Sequence, residues 1–264
     1  MSLAVLFILC LVACGGEKDE PSPIPTPAPN PEPEVSEFAM PEANEAVDLG
    51  LSVLWASCNF GAKVEGQHGG YFAWGDPTGK LYSADGIGYS ESAGGGYTYW
   101  NTTNYGGKNP PANISGTTLD VVSRHWGNGW RMPTYEEMRE LLLNCEWKVF
   151  VNYGIRRCRV TGPNGNSIIM TLSGLLGDLP GDENRFSWPL HVNNSGFYWT
   201  ATTARVRSQN RGYNVADDIV TSYAMVFSVG KDMEYVDSTN NVQIKYFTDH
   251  LRAYHMSIRP VHDK

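Results

Sequence analysis

The sequence has no basic stripe. Lys and Arg number 20 against 28 Asp and Glu, for a net charge of -8. That balance argues against nucleic acid as a main partner, because such binding rests on clustered cations that neutralise phosphates. Catalytic signatures are also missing. No Gly-x-Ser-x-Gly elbow occurs, and Gly106-Gly107-Lys108-Asn109 lacks the glycine spacing and the hydroxyl of a phosphate-binding loop. Glu136 and Glu137 are helix neighbours pointing about 100° apart, so they cannot flank a glycosidic bond. These gaps point to a protein that is not an enzyme and needs no cofactor. Long apolar runs are absent where they would matter: Leu3 to Val12 is unbroken but too short to cross a bilayer.

What is present begins with that run, which has the length of a signal-peptide core, although no Lys or Arg precedes it. It ends Leu11-Val12-Ala13-Cys14-Gly15, which resembles the lipobox of bacterial lipoproteins. The resemblance implies cleavage before Cys14, lipid attachment at Cys14 and a membrane tether. Residues 14–43 then form an acidic, proline-rich linker in which nothing can pack and polyproline II is favoured. Its twenty or so extended residues reach on the order of 60 Å at ~3.1 Å each. Acidic residues just after the lipidated cysteine also resemble the signal for surface export, so an outer-membrane, surface-exposed lipoprotein is expected.

Residues 44–264 are expected to form one domain, with 28 glycines and 14 tyrosines in the chain favouring loops and strands over a helix bundle. Its most explicit stretch is Trp126-Gly-Asn-Gly-Trp-Arg-Met-Pro-Thr134. Asn128-Gly129 predicts a tight turn with positive φ, and Thr134 with Glu137 predicts a capping box. Tyr135, Met138, Leu141, Leu142 and Cys145 then share one helical face. Trp126, Trp130, Met138 and Leu142 should be core, and Arg131 should tether a loop. Alternation from Val47 to Trp55 predicts a half-buried strand kinked at Gly50, and Gly69–Asp76 a second short one. Thr118 is expected to cap a short helix. A hairpin is expected around Gly162-Pro-Asn-Gly-Asn166, with strands at Phe197–Thr202 and Tyr223–Ser228 and a closing edge or terminal strand at Met256–Val261. The element order is that of an α+β domain.

In chain order these residues resemble the Fibrobacter succinogenes major paralogous domain family of Bacteroidetes surface proteins. The resemblance rests on Val47-Asp-Leu-Gly-Leu51, Trp55-Ala-Ser-Cys-Asn59, Gly70-Tyr-Phe-Ala-Trp-Gly75 and the Trp126–Thr134 motif. Val160-Thr-Gly-Pro-Asn-Gly165, Tyr198-Trp-Thr200 and Ile258-Arg-Pro-Val261 complete it. It implies a C-type-lectin-like fold of the variety shared with formylglycine-generating enzymes. Those enzymes need a cysteine pair near the C-terminal end of the domain, and no cysteine follows Cys158 here, so their activity should not transfer. Relatives on the scaffold include adhesins, pilus-tip subunits and variable receptors whose ligand surface lies on late loops. Here those loops are Arg205–Thr221, with Arg205, Arg207, Arg211 and Tyr213, and Lys231–Tyr254.

A further candidate surface is Lys80–Gly116, where Tyr97, Tyr99 and Trp100 lie among small polar residues, the composition of antibody paratopes. The alternative is an insertion whose tyrosines pack on the domain itself. No metal is assigned: His250 and His255 are five residues apart, and Asp178, Asp182, Glu183 and Asn184 read as an acidic turn more readily than a calcium loop. The calcium-and-sugar motifs of true C-type lectins are absent. Cys58, Cys145 and Cys158 allow one disulfide, with Cys58–Cys145 the favoured pair, or three free thiols. The expected function is a lipid-anchored binding module, an adhesin or receptor for a protein or glycan; the alternative is a structural subunit of a pilus or surface assembly.

Overall fold

A computed structural model describes residues 38–79, 110–176, 190–206, 219–228, 244–252 and 254–264. The chain divides into two units: Met1–Glu34, which lies outside the described residues, and the compact unit Val35–Lys264. The architecture is α+β, with mostly antiparallel strands and, among the described residues, two helices.

Strand β1 (Ala46–Asp48) and strand β2 (Leu54–Ala56) form a hairpin with Val47 opposite Trp55, in place of the single strand expected over that range. The chain reverses because Gly50 sits at φ +78 and its amide donates to Asp48 Oδ1 at 2.8 Å. Leu49, Leu51 and Val53 are nonetheless buried, so the alternation tracked burial and not extension. Strand β3 is only Phe72–Ala73.

Helix α1 (Val121–His125) is capped by Asp120, not Thr118. One Asp120 oxygen accepts from the Val122 and Ser123 amides, and the other from the Gly116 and Met132 amides. A side chain with two acceptor oxygens thus joins the cap, the preceding loop and the strand beyond. The tight turn forms as expected, with Asn128 at φ 49 and Gly129 at φ 84, and leads into β4 (Trp130–Arg131). Helix α2 (Tyr135–Asn144) has the full capping box: Thr134 Oγ1 accepts from the Glu137 amide and Glu137 Oε2 from the Thr134 amide.

Strands β5 (Glu146–Asn152), β6 (Ile155–Thr161) and β7 (Ser167–Thr171) make an antiparallel meander in the order β5-β6-β7. The Gly162–Asn166 turn joins β6 to β7, as its sequence predicts. Gly162 has no alternative there, because a Cβ on it would lie 2.0 Å from the Leu49 carbonyl oxygen. Strand β8 (Ser195–Val206) pairs with β9 (Ile219–Ser228), which pairs with β10 (Ile244–Leu251). Strand β11 (His255–Met256) pairs with β3, and β12 (Val261–His262) lies between β2 and β4.

The closing strand is terminal in the chain, as expected, but it is broken into β11 and β12, and β12 pairs on both sides instead of lying at an edge. The break falls at Ile258–Pro260, where the Pro260 carbonyl accepts from the Ala56 amide and the Arg259 guanidinium is fully buried. Nη1 donates to the carbonyls of Ala56 at 2.8 Å and Ser57 at 2.5 Å, and Nη2 to that of Ile169. One side chain so ties the first hairpin, β7 and the C-terminal segment together.

Two apolar clusters form the core. One gathers α2, the β5–β7 meander and the first hairpin around Met138, Leu141, Trp147, Cys158 and Phe227. The other gathers Trp74, Trp126, Trp130, Trp199 and Ile258. Trp126, Trp130, Met138 and Leu142 are all buried, as the sequence predicts. The expected Cys58–Cys145 bridge is not formed, and Cys58, Cys145 and Cys158 are all buried outside any disulfide. Cys145 and Cys158 belong to the first cluster, whereas the Cys58 sulfur faces Ser57 and the Ala43 carbonyl at the rim of the first hairpin.

Candidate functional site

The sheet β8-β9-β10 decides where the expected binding segments can meet. Strand β8 is long because Ser195–Val206 is rich in aromatic and β-branched residues and contains no proline. Ala204 faces Thr221, Arg205 faces Val220 and Val206 faces Ile219, so the described part of the β8–β9 ladder ends at this pair. Arg205 is thus a strand residue, and the connection expected over Arg205–Thr221 is shortened at both ends by ladder pairing.

The C-terminal flank of the tyrosine-rich segment pairs with β8, whereas the N-terminal flank touches β8 through Trp74 and then runs to α1, where Pro77 meets His125 and Gly79 lies against Phe38 and Val121. On the C-terminal side, the Ile114 amide donates to the Ala201 carbonyl and the Thr203 amide to the Ala112 carbonyl, each at 3.0 Å. That pairing is antiparallel, with Asn113 opposite Thr202, so the chain from Pro110 lies toward Val206. On the N-terminal side, the Trp74 indole donates to the Thr200 carbonyl at 2.8 Å and the Trp74 amide to the Arg252 carbonyl at 3.0 Å. Arg252 follows β10 at this same end, since Leu251 faces Thr221. Its guanidinium carbon lies 5.7 Å from the centre of the Trp74 ring, and burial pushes its pKa down to about 10.

Of the sequence-predicted residues, Tyr97, Tyr99, Trp100, Arg207, Arg211, Tyr213 and Cys14 lie outside the described residues, as do Asp178, Asp182, Glu183 and Asn184. The second expected loop, Lys231–Tyr254, is corrected: Ile244–Leu251 is strand β10. Ser228 and Ile244 pair at the opposite end of the sheet from Val206. Sequence reading missed β10 because its alternation is short and interrupted by Asp249 and His250.

It also missed an aromatic group. Tyr135, at the start of α2, packs on Tyr223 and Phe247 with ring centres 4.8 and 4.6 Å away. All three are half-buried, and the Tyr135 amide donates to Thr202 Oγ1 at 3.0 Å beside the pairing just described. The helical period placed Tyr135 on the core face, and only the sheet register reveals that it lies at the rim. The comparisons do not identify the chain. No family model, curated protein or solved structure matches it.

The conspicuous charges near the sequence signature are engaged in the scaffold. Arg131 forms a fork with Glu137 at 2.9 and 2.7 Å, and also reaches Asp263 at 2.6 Å and Ser115. Arg131 is raised above the ordinary arginine range by the Glu137 hydrogen bonds, against the cost of burial. Burial works to raise the Glu137 carboxyl, but the Arg131 hydrogen bond and the Thr134 amide hold it below its ordinary value. For Asp120 the balance is reversed: burial lifts its carboxyl above the usual range despite the amides that donate to it. Among the described residues no three His, Cys, Asp or Glu side chains group as metal ligands, and no helix is long and apolar enough to cross a membrane.

Proposed function

We propose that this chain is a lipid-anchored cell-surface binding module with a C-type-lectin-like fold. It would be tethered through Cys14 and would recognise a protein or glycan with residues 80–109 and 207–218. One observation carries the reading: residues 112–114, on the C-terminal flank of the first segment, pair with Ala201–Thr203 of β8, and the second segment is bounded by the Val206–Ile219 pair of the same strand. Two segments far apart in sequence, one rich in tyrosine and one in arginine, thus have flanks on one strand. Tyr and Arg carry a disproportionate share of interface energy, and binding residues characteristically sit on connections held by a rigid scaffold. The half-buried rings of Tyr135, Tyr223 and Phe247 pack together on the same sheet, with the Tyr135 amide on Thr202.

The non-enzyme reading is supported by the employment of the charged side chains. Arg131, Glu137, Asp120 and Arg259 are occupied with caps, turns and strand ties. The test is a glycan and protein array probed with the full chain carrying Cys14→Ser. Binding that is lost on alanine substitution at Tyr97, Tyr99, Trp100, Arg207 and Tyr213 supports the reading. A detected interaction that survives all five substitutions sinks the assignment of these segments. Self-association of the same chain without ligand favours the structural-subunit reading instead.

A further inference from the structure

The hairpin between β5 and β6 carries a feature that its own folding does not require. Asn152 pairs with Ile155, which leaves Tyr153 and Gly154 as a two-residue turn with φ of 50 and 73. Such a turn favours Asn or Asp at its first position and Gly at its second, because both need positive φ. A tyrosine there is disfavoured, and its side chain is 97% exposed, so no packing within the domain compensates.

The neighbours repeat the pattern. Val151 is 62% exposed and Ile155 is 38% exposed. Cross-strand register puts Val151, opposite Arg156, on one face of the ribbon, and Ile155, opposite Asn152, on the other. The tip therefore exposes an apolar side chain at its end and on each side, with the exposed Asn152 beside Ile155. A docking face for a folded partner is one-sided and buries about 800 Å² per partner, far more than one hairpin tip presents. A tip with apolar side chains on both faces suits immersion in a medium.

Charge indicates which medium. Residues 148–159 contain no acid, and expose Lys148 and Arg159 while Arg157 is half-buried and Arg156 is buried against Asn194, in a chain of net charge -8. Arg157 donates to the Gly66 and Asn152 carbonyls, which leave its charge uncompensated. Arg159 covers the Phe150 ring at 5.7 Å and stands opposite Lys148, about 13 Å behind the closing pair at ~3.4 Å per residue. The acids that touch this sheet are Glu146, paired with Lys148 at 2.7 Å, and Glu65, which accepts from the Ile169 amide. Glu146 stands opposite Thr161, and Ile169 opposite Arg159, so neither acid's anchor point lies between the Lys148–Arg159 pair and the tip.

The ribbon is also held in place. The Arg156 amide donates to Asn193 Oδ1 at 2.7 Å, and Asn193 Nδ2 donates to the Gly154 carbonyl at 3.3 Å. We propose that the β5–β6 hairpin is a membrane-contacting element. Its apolar tip of Val151, Tyr153 and Ile155 would enter the interfacial layer of a phosphate-bearing lipid surface, with the cations behind it facing the phosphates. This contact is independent of the lipid anchor and of the binding segments at the far β8 end.

The test uses the full chain with Cys14→Ser, which removes the anchor, and sedimentation with vesicles. One set is phosphatidylcholine alone and the other contains equal parts phosphatidylcholine and phosphatidylglycerol. The chain should partition onto the mixed vesicles and be released by salt, since screening shortens the reach of exposed charges. Tyr153→Asn should weaken partition on the order of tenfold while raising Tm by about 1–4 °C, because it installs the residue the turn prefers. Combined Lys148→Ala and Arg159→Ala should weaken it by roughly 30-fold, at about fivefold for each cation. The alanine set at Tyr97, Tyr99, Trp100, Arg207 and Tyr213 should leave partition unchanged, which separates this element from the ligand segments. Absence of partition onto mixed vesicles overturns the proposal. So does equal partition onto neutral vesicles, or wild-type partition by Tyr153→Asn. Capture of a soluble protein that Tyr153→Asn abolishes, with vesicle partition unaffected, assigns the tip to a protein partner and likewise overturns it.

Discussion

Arg259 offers the sharpest test of how the domain is held together. Its guanidinium is fully buried, and burial pushes its pKa below the usual arginine range. It donates to carbonyls of Ala56, Ser57 and Ile169, which belong to two separate parts of the chain. Arg259→Met fills much of the same volume but supplies no donor. Two effects then oppose each other. Removing a buried cation relieves a desolvation cost of several kcal/mol. Leaving buried carbonyls unsatisfied costs about 1–3 kcal/mol each. Three acceptors outweigh the relief, and the expected net loss is ~3–5 kcal/mol, the range seen when one partner of a buried charged pair is removed. At about 2–4 °C per kcal/mol for a domain of this size, Tm should fall by roughly 6–20 °C. Arg259→Lys should fall between, because one ammonium cannot span acceptors on both sides. Urea unfolding followed by tryptophan fluorescence reads the midpoint directly. A Met variant within about 1 kcal/mol of wild type would refute the reasoning, since satisfying those carbonyls would then contribute little.

Other outcomes follow from the same geometry. Glu137→Ala removes both the capping-box return bond and the Arg131 fork, and should cost ~2–3 kcal/mol by urea unfolding. Because the Glu137 carboxyl is held below its ordinary 4.5, its contribution is present above that pH and is lost as pH falls through the depressed value. An acid-unfolding curve of wild type against Glu137→Gln should therefore converge at low pH. Asp120→Ala should cost more than the typical ~1 kcal/mol of an N-cap, because the same carboxylate also holds the Gly116 and Met132 amides. Loss of only a cap's worth of stability would show those outer bonds to be idle. Cys58, Cys145 and Cys158 should react with an aromatic disulfide reagent only after denaturation, and reductant should leave Tm unchanged. A Tm lowered by reductant would mean that a bridge forms.

Local chemistry was legible in the sequence and long-range pairing was not. The Asn128-Gly129 turn and the Thr134–Glu137 box are settled by residues within four positions of each other, and both formed as expected. Leu49, Leu51 and Val53 were correctly placed in the core, yet the strand that should have carried them is a hairpin. Asp48 and Gly50 encode a turn that alternation alone hides. Thr118 and Asp120 are both good caps, and the choice fell to Asp120 because its second oxygen binds Met132, across a distance no sequence window covers. Arg259-Pro260 suited an edge or terminal strand. The placing of β12 between β2 and β4 depends on strands more than a hundred residues earlier. For the candidate site, composition named the tyrosine- and arginine-rich segments. Only the register of β8 showed that residues 112–114 and the Val206–Ile219 pair share this strand, and that the Ser228–Ile244 pair lies at the other end of the sheet.

The central claim is that this domain stands outside the cell and binds there. Protease treatment of intact cells, followed by detection of the domain before and after membrane permeabilisation, tests it most directly. A surface module should be cleaved within the linker, residues 14–43, in intact cells, releasing a protected fragment close to residues 44–264. A chain that stays whole until the membrane is permeabilised would contradict the account.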